Sequence, residues 1–408
     1  MKKKILVISI GYPTKENPYN GSFFKEQIDF LSNDYDCTVV VPTEASRGFI
    51  FSGATVTTTA EYTEGIKQIY PIFGVSKFRK VIEAIDGQID KKKRAQTAVG
   101  IYKSKYYRKY RRDLIKSFIT CHKLEYDAVY CISAQGAAFF ALQFAEIKNK
   151  PLIISEHRPY PHPGWATIDV EKEAFEKAEC YLAISKDKIR QVMLQNIKPN
   201  RIACIGNLVD ETKFKYNPEK HDVKTFLIVA ACSYFKNYDM FIETMNKLSE
   251  KTDKKFKVVI AGYKANVGYI EAVEEFEKKL FSSKFVDNLE LIPAVPRDEL
   301  CALYNRCDAF IMTSIQEGQP MVALEAASCG LPIFSTRCGG VEDYVTDEIG
   351  RLVDITDSDK LSDYLREYLD GDISFDGIAI RDKVINLYGR EAFRKNITAE
   401  FDRILNRQ

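Results

Sequence analysis

The chain has 408 residues, 45% of them hydrophobic and 28% charged, with 59 Lys and Arg against 57 Asp and Glu. That length exceeds what one hydrophobic core usually serves, so two α/β domains of roughly 200 residues each are expected. Disorder and fibrous repeats are excluded by the composition, and a near-zero net charge argues against a protein that coats nucleic acid.

The first apolar run, Ile5 to Ile10, is bounded by lysines and a Gly-Tyr-Pro turn. It reads as a strand buried on both faces of a parallel sheet, and is too short for a signal segment or a membrane span, which places the chain in the cytoplasm. Phe23 to Leu31 follows with helical spacing, then Cys37 to Val41 as a second buried strand, giving a β-loop-α-β opening. Further strands are expected at Ala128 to Ile132, Leu152 to Ile154 and Tyr181 to Ile184. Residues 206–224 are polar and broken by Gly and Pro, and mark a linker. The pattern restarts with Phe226 to Ala231 and continues with strands at Lys257 to Ile260, Leu289 to Ile292, Ala309 to Met312 and Pro332 to Ser335, and helical stretches such as Tyr269 to Leu280 between them. Strands alternating with helices predict parallel sheets. Arg390 to Leu405 reads as a helix, with Phe393, Ile397, Phe401 and Leu405 four apart. The expected division is 1–206, 207–385, and a C-terminal helix over 386–408 that crosses back to the first domain. Ten scattered cysteines without a C-x-x-C pair disfavour a zinc site or disulfide framework and read as buried free thiols.

The densest chemical signal is Glu317-Gly-Gln-Pro-Met-Val-Ala-Leu-Glu325, continued by Ala-Ala-Ser-Cys-Gly-Leu-Pro332 and then Gly339-Gly340-Val-Glu-Asp343. Glu317 falls in a loop after a strand, and the residues after Pro320 start a helix whose free N–H groups and dipole suit a pyrophosphate. Two glutamates eight apart can also be ordinary solvated carboxylates. The whole run, however, resembles the E-x7-E signature of retaining glycosyltransferases with the B-type two-domain fold, family four, also called glycosyl transferases group 1. Other features of that family recur over almost the whole length. The resemblance implies a GT-B architecture, α/β, with two Rossmann-like domains whose parallel sheets face a central cleft. The first domain would bind the acceptor and the second the nucleotide-sugar donor.

It also implies site roles. Glu317 with Gly318, Gln319 and Pro320 would hold the donor sugar, and Glu325 the ribose. Lys236, after the first strand of the second domain, matches the phosphate-binding lysine, and would neutralise the leaving diphosphate with no metal and no cofactor. An arginine usual five positions earlier is replaced by Ala231. His157, after Glu156 at the end of a first-domain strand, would reach the donor sugar. Gly21 would lie near the phosphates, and Gly262 and Val295 under the nucleotide. The plainer alternatives are a surface lysine, a structural histidine and a turn glycine. His157, Glu317 and Lys236 are the candidate catalytic residues, with no single catalytic base.

Residues 91–116 hold eleven Lys and Arg against one Asp, with four tyrosines interleaved. On a helix they would suit anionic lipid headgroups or a lipid-diphosphate acceptor at the inner face of the cell membrane. A solvated basic helix packing its Tyr stems on the domain is the alternative. Asp357-Ser-Asp359 and Asp370-Gly-Asp372 read as helix caps and turns, not as a metal-holding Asp-x-Asp. The hydrolase elbow, the P-loop and the dinucleotide fingerprint are absent from the sequence. The expected partners are a UDP- or GDP-sugar donor and a glycan or lipid-linked acceptor, with no nucleic acid. The pathway implied by family habit is bacterial surface polysaccharide assembly. A sugar-nucleotide epimerase of the same fold, or a non-catalytic nucleotide-sugar-binding subunit, are the other functions open to such a sequence.

Overall fold

The computed structural model describes residues 1–13, 20–47, 57–63, 66–76, 105–158, 168–265 and 270–406. The chain forms two units: Met1–Ile184 with Lys188–Ile205 and Arg394–Gln408, and Gly206–Phe393 with Ser185–Asp187.

The first unit is built on a sheet of strands β1 (Lys4–Ile8), β2 (Asp36–Val40), β3 (Thr43–Arg47), β4 (Thr57–Thr63), β5 (Ile66–Ser76), β6 (Ala128–Cys131), β7 (Leu152–Glu156), β8 (Cys180–Ala183) and β9 (Ile202–Cys204). Their order is β3-β5-β2-β1-β6-β7-β8-β9, with β4 antiparallel on β5 and the other pairs parallel. The apolar runs at β1, β2, β6, β7 and β8 were legible because both faces are covered. Leu6, Ile8, Val129, Cys131 and Ile154 enter one core, while Tyr130 on the opposite face meets Phe401 at 5.4 Å between ring centroids. Phe401 lies on the helix Arg390–Leu405, where Phe393, Ile397 and Phe401 are fully buried and Leu405 is nearly so. β3, β4 and β5 escape the sequence reading, because stretches such as TTTAEYT carry no continuous apolar run.

The second unit holds β10 (Lys224–Val229), β11 (Phe256–Ala261), β12 (Leu289–Ile292), β13 (Ala309–Met312), β14 (Ile333–Thr336) and β15 (Gly350–Val353), all parallel, in the order β12-β11-β10-β13-β14-β15. Alternation within each strand feeds two cores. Phe226, Ile228, Val258, Ile260 and Ile311 face one side, and Leu227, Val229, Val259, Phe310 and Met312 the other. Such period-two burial on both faces is what a helix-covered parallel sheet requires. In both sheets the first strand stands at a reversal of order, β1 beside β6 and β10 beside β13. The loops leaving such a reversal at the carboxyl ends of the strands are where α/β sheets receive ligands.

Asp357 caps the helix Ser358–Asp370 by accepting from the Lys360 N–H, and Gly371 closes it in the left-handed conformation, so both Asp-containing tripeptides mark the ends of one helix. Of the basic segment, 91–104 lie outside the described residues. The remainder opens the helix Lys105–Cys121, where Arg108 pairs with Glu173 at 2.6 Å, Arg112 with Glu146 at 2.7 Å, and Arg111 is buried. These three arginines are therefore occupied within the first unit. Among the described residues no helix is long and apolar enough to cross a membrane.

Candidate active site

In the second unit, the loops leaving β10 and β13 meet at the reversal of strand order. After β10 the chain makes a short turn, Tyr234–Lys236, and Asn237, in the left-handed conformation, caps the helix Tyr238–Lys251. The turn is fixed from the β13 side. Thr313 Oγ1 donates to the carbonyls of Lys236 and Asn237, at 3.1 Å each, and the Ile315 N–H donates to Phe235 O at 2.8 Å. Held in this way, Lys236 Nζ reaches Glu317 Oε1 at 2.5 Å, and Ser314 Oγ donates to the same oxygen at 2.8 Å. Two residues 81 apart in sequence thus form one charged pair, of which Ser314 went unnoticed in the sequence for want of a motif around it.

The loop carrying Glu317 is braced from β14. Its N–H donates to Cys338 O at 2.6 Å, and Glu317 and Gly339 form an isolated parallel bridge. A Cβ on Gly340 would lie 2.1 Å from Gly318 O, so the Gly339-Gly340 pair is the condition for two loop backbones to touch. Gly318, Gln319 and Pro320 are buried and lead into the helix Met321–Ser328, whose start has no side-chain cap. The side chain of Gln319 turns to the start of this unit, where Asn207 N donates to its Oε1 at 2.5 Å and Asn207 Nδ2 donates to its backbone O at 3.0 Å.

Glu325, on the same helix, has no exposed side-chain surface. Arg297 Nη2 lies 2.8 Å from its Oε1, and the Tyr304 hydroxyl donates to its Oε2 at 3.2 Å. Burial, and after it the Glu325 charge, pushes the Tyr304 phenol well above its ordinary titration range. Neither Arg297 nor Tyr304 was found from sequence, although Arg297 stands two residues beyond Val295 in the turn after β12. Val295 itself is half-buried against one of the cores. Gly262, just past β11, has φ +77° with open space where a Cβ would be, and its N–H donates to Ile292 O at 2.8 Å.

In the first unit the loops from β1 and β7 come together. Gly21, at φ +69°, starts the helix Ser22–Leu31, and a Cβ on it would sit 2.5 Å from Gly11 O. The helix then sets Phe23 and Phe24 against His157, at 5.8 and 5.1 Å between ring centroids. His157 Nε2 is 3.2 Å from Ser155 Oγ. The fully buried Glu156 takes hydrogen bonds from Ser133 Oγ, Gln135 N and Arg158 N at 3.1, 2.8 and 2.7 Å, which ties the β6 and β7 loops together.

Two Rossmann-like units, each built on a sheet of mainly parallel strands, are the GT-B fold. The sucrose-phosphate synthase of Thermosynechococcus elongatus superposes with a TM-score of 0.70 at 14% identity, covering 100% of both chains. Residues 209–384 match the family described as Glycosyl transferases group 1. Among curated relatives, a component of the phosphatidylinositol N-acetylglucosaminyltransferase of Arabidopsis thaliana is 24% identical over 51% of this chain and 46% of its own length. The D-inositol 3-phosphate glycosyltransferase of Corynebacterium diphtheriae is 27% identical over 63% of this chain and 66% of its own length. The chain spans less than half the length of the phosphatidylinositol N-acetylglucosaminyltransferases it matches.

Proposed function

We propose that this chain is a retaining, metal-independent glycosyltransferase that moves a sugar from a UDP- or GDP-sugar to a glycan or lipid-linked acceptor, in the assembly of bacterial surface polysaccharide. The observation that carries the reading is the Lys236–Glu317 pair, 2.5 Å apart at the reversal of strand order and next to the uncapped helix at Met321. A cation and a helix N-terminus are the groups that stabilise a departing diphosphate. Glu317 enters the reaction already neutralised, so donor arrival is an exchange of partners, with sugar hydroxyls taking the carboxylate and a phosphate taking the ammonium. In this reading Gly318, Gln319 and Pro320 present backbone to the sugar, Glu325 meets the ribose, and Gly262 and Val295 line the nucleoside. Gly21 and His157 belong to the acceptor-binding unit and act on the phosphates and donor sugar. The acceptor attacks on the face that the diphosphate leaves, and leaving-group stabilisation with positioning supplies the rate.

A lipid acceptor is supported by the name of the Arabidopsis thaliana relative, which carries that of a phospholipid. Contact with a membrane at the cytoplasmic face would run through residues 91–116, within which Lys109 and Lys116 are exposed, whereas Arg108 and Arg112 are paired inside the first unit and Arg111 is buried.

The test is thermal stabilisation by UDP and by GDP, each with and without EDTA, on the wild type and Glu325→Ala. A ligand at about 100 times its dissociation constant adds roughly 2.7 kcal/mol. One nucleotide should stabilise the wild type, EDTA should leave the shift unchanged, and Glu325→Ala should lose most of it. No shift with either nucleotide would sink the donor-site reading.

A further inference from the structure

The donor reading gives Glu325 to the ribose, yet the carboxylate already has company. Its side chain is 0% exposed, with Arg297 at 2.8 Å on one oxygen and the Tyr304 hydroxyl at 3.2 Å on the other. Among the described residues the titratable groups facing it are Arg297, Tyr304 and Cys329, with Cys301 and Arg381 beyond Cys329. Among the described residues Arg297 is the cation shown at ion-pair distance. Tyr304 is wholly buried and stays a phenol, so it donates a hydrogen bond but brings no charge.

A carboxylate withdrawn from water and deprived of its cation takes up a proton. The resulting acid has fewer acceptor sites and an O–H donor of its own. A ribose diol, which offers two O–H donors, would then meet a donor where it needs an acceptor. Arg297 reaches Glu325 from the turn after β12, and 29% of its side chain is exposed, so the pair joins the buried helix to the edge where the nucleoside would lie.

We propose that Arg297 is a positioning residue for the nucleoside end of the donor: paired with Glu325, it keeps that carboxylate ionised and in one orientation, so the ribose diol meets an acceptor across the physiological pH range. The inference rests on the donor-site reading and extends it to a residue that the signature does not contain.

The experiment uses the full chain as wild type, Arg297→Met, Arg297→Lys and Arg297→Met/Glu325→Gln, from pH 5.5 to 8.5. The first measurement is melting temperature without nucleotide. In Arg297→Met the folded-state pKa of Glu325 rises above its unfolded value, so the deficit against the wild type should grow as pH rises, and the double variant should abolish that trend. The second is calorimetric binding of UDP and of GDP. The wild type should bind one of them with little pH dependence. Arg297→Met should bind it roughly tenfold or more weakly at pH 6, recovering as pH rises, and Arg297→Lys should restore the flat profile.

Unchanged affinity in Arg297→Met overturns the proposal. So does a loss of equal size at every pH that Lys does not repair, since that is the mark of packing alone. If the wild type binds neither nucleotide while the pH-dependent melting deficit appears, the donor-site reading has failed, and Arg297 keeps only the task of holding Glu325 ionised.

Discussion

Gly340 and Gly262 are both glycines beside the candidate site, but for different physical reasons, and alanine at each separates them. At Gly340 the backbone is not in the left-handed region, and the obstacle is space: a Cβ would lie 2.1 Å from Gly318 O and 2.9 Å from Gln319 Cα. Ordinary contacts between non-bonded atoms start near ~3.5 Å, so a backbone loop must retreat by about an ångström or more. Overpacking of that kind costs typically ~1–3 kcal/mol and sometimes more. The clash is with backbone and not with a flexible side chain, which puts the cost at the upper end of that range, and the gain of about 0.4–1 kcal/mol from a stiffer unfolded chain leaves roughly 2 kcal/mol. At Gly262 there is open space, and only φ +77° resists a side chain. That costs about 1–2 kcal/mol before the same offset, so the net is about 0.8 kcal/mol at the middle of both ranges. For a unit of this size 1 kcal/mol moves the melting point by about 2–4 °C. Gly340→Ala should therefore melt roughly 4–8 °C below the wild type and Gly262→Ala less than about 4 °C below it, by scanning calorimetry without nucleotide. Below both transitions Gly340→Ala should also bind nucleotide more weakly, because the atoms that retreat belong to Gly318 and Gln319. Melting of Gly340→Ala at or above that of Gly262→Ala would refute the reasoning from contact between the loops.

Three further outcomes are expected. Lys236→Ala should lower kcat for sugar transfer by about 10²–10³-fold with a smaller change in KM, while Lys236→Arg retains part of the rate; steady-state kinetics on an identified donor decide it. Glu156→Gln replaces an acceptor of three hydrogen bonds by an amide that meets N–H and O–H donors partly with its own N–H, and should destabilise the first unit by about 1–3 kcal/mol in urea unfolding. Hydrogen bonding from Arg201, and next from Arg403, holds the Glu400 carboxyl down to about 2, against a burial effect that raises it. A depressed folded-state pKa gives stability that is complete above the unfolded carboxylate range and disappears as pH falls from about 4.5 toward about 2. Arg201→Ala should accordingly raise the pH of acid unfolding followed by circular dichroism, and an unchanged acid midpoint would dispose of the argument.

Strands with a continuous apolar run were legible in the sequence, because in a parallel sheet covered on both faces most residues of a strand are apolar. β13, Ala309–Met312, agrees to the residue, and β6, β8 and β11 agree within one residue at either end. The polar β3 and the Thr-rich β4 gave no such signal, and only pairing with β5 makes them strands. For the site, the E-x7-E run located the loop and helix, and Lys236 was readable from its place after a strand. What could not be read was how charges are shared. Nothing local in the segment Pro296-Arg297-Asp298 announces a partner 28 residues on, and the burial that makes Arg297 matter to Glu325 exists only once the helix is packed. In the basic segment, too, the sharing of charge was hidden: that Glu173 and Glu146 neutralise Arg108 and Arg112 is visible only in the folded chain.

The helix Arg390–Leu405 has a consequence for the order in which the protein assembles during synthesis. From Arg394 onward it belongs to the first unit, where Phe401 fills the face of the sheet at Tyr130, Asp402 accepts from the Tyr35 hydroxyl at 2.9 Å, and Glu400 pairs with Arg201 at 2.7 Å. Domains usually fold as they emerge, amino-terminal one first. Here the unit translated first lacks a structural member until everything encoding the second has been made. The nascent first sheet must therefore wait with an apolar face open, and the second unit can be complete before the unit that precedes it on the messenger.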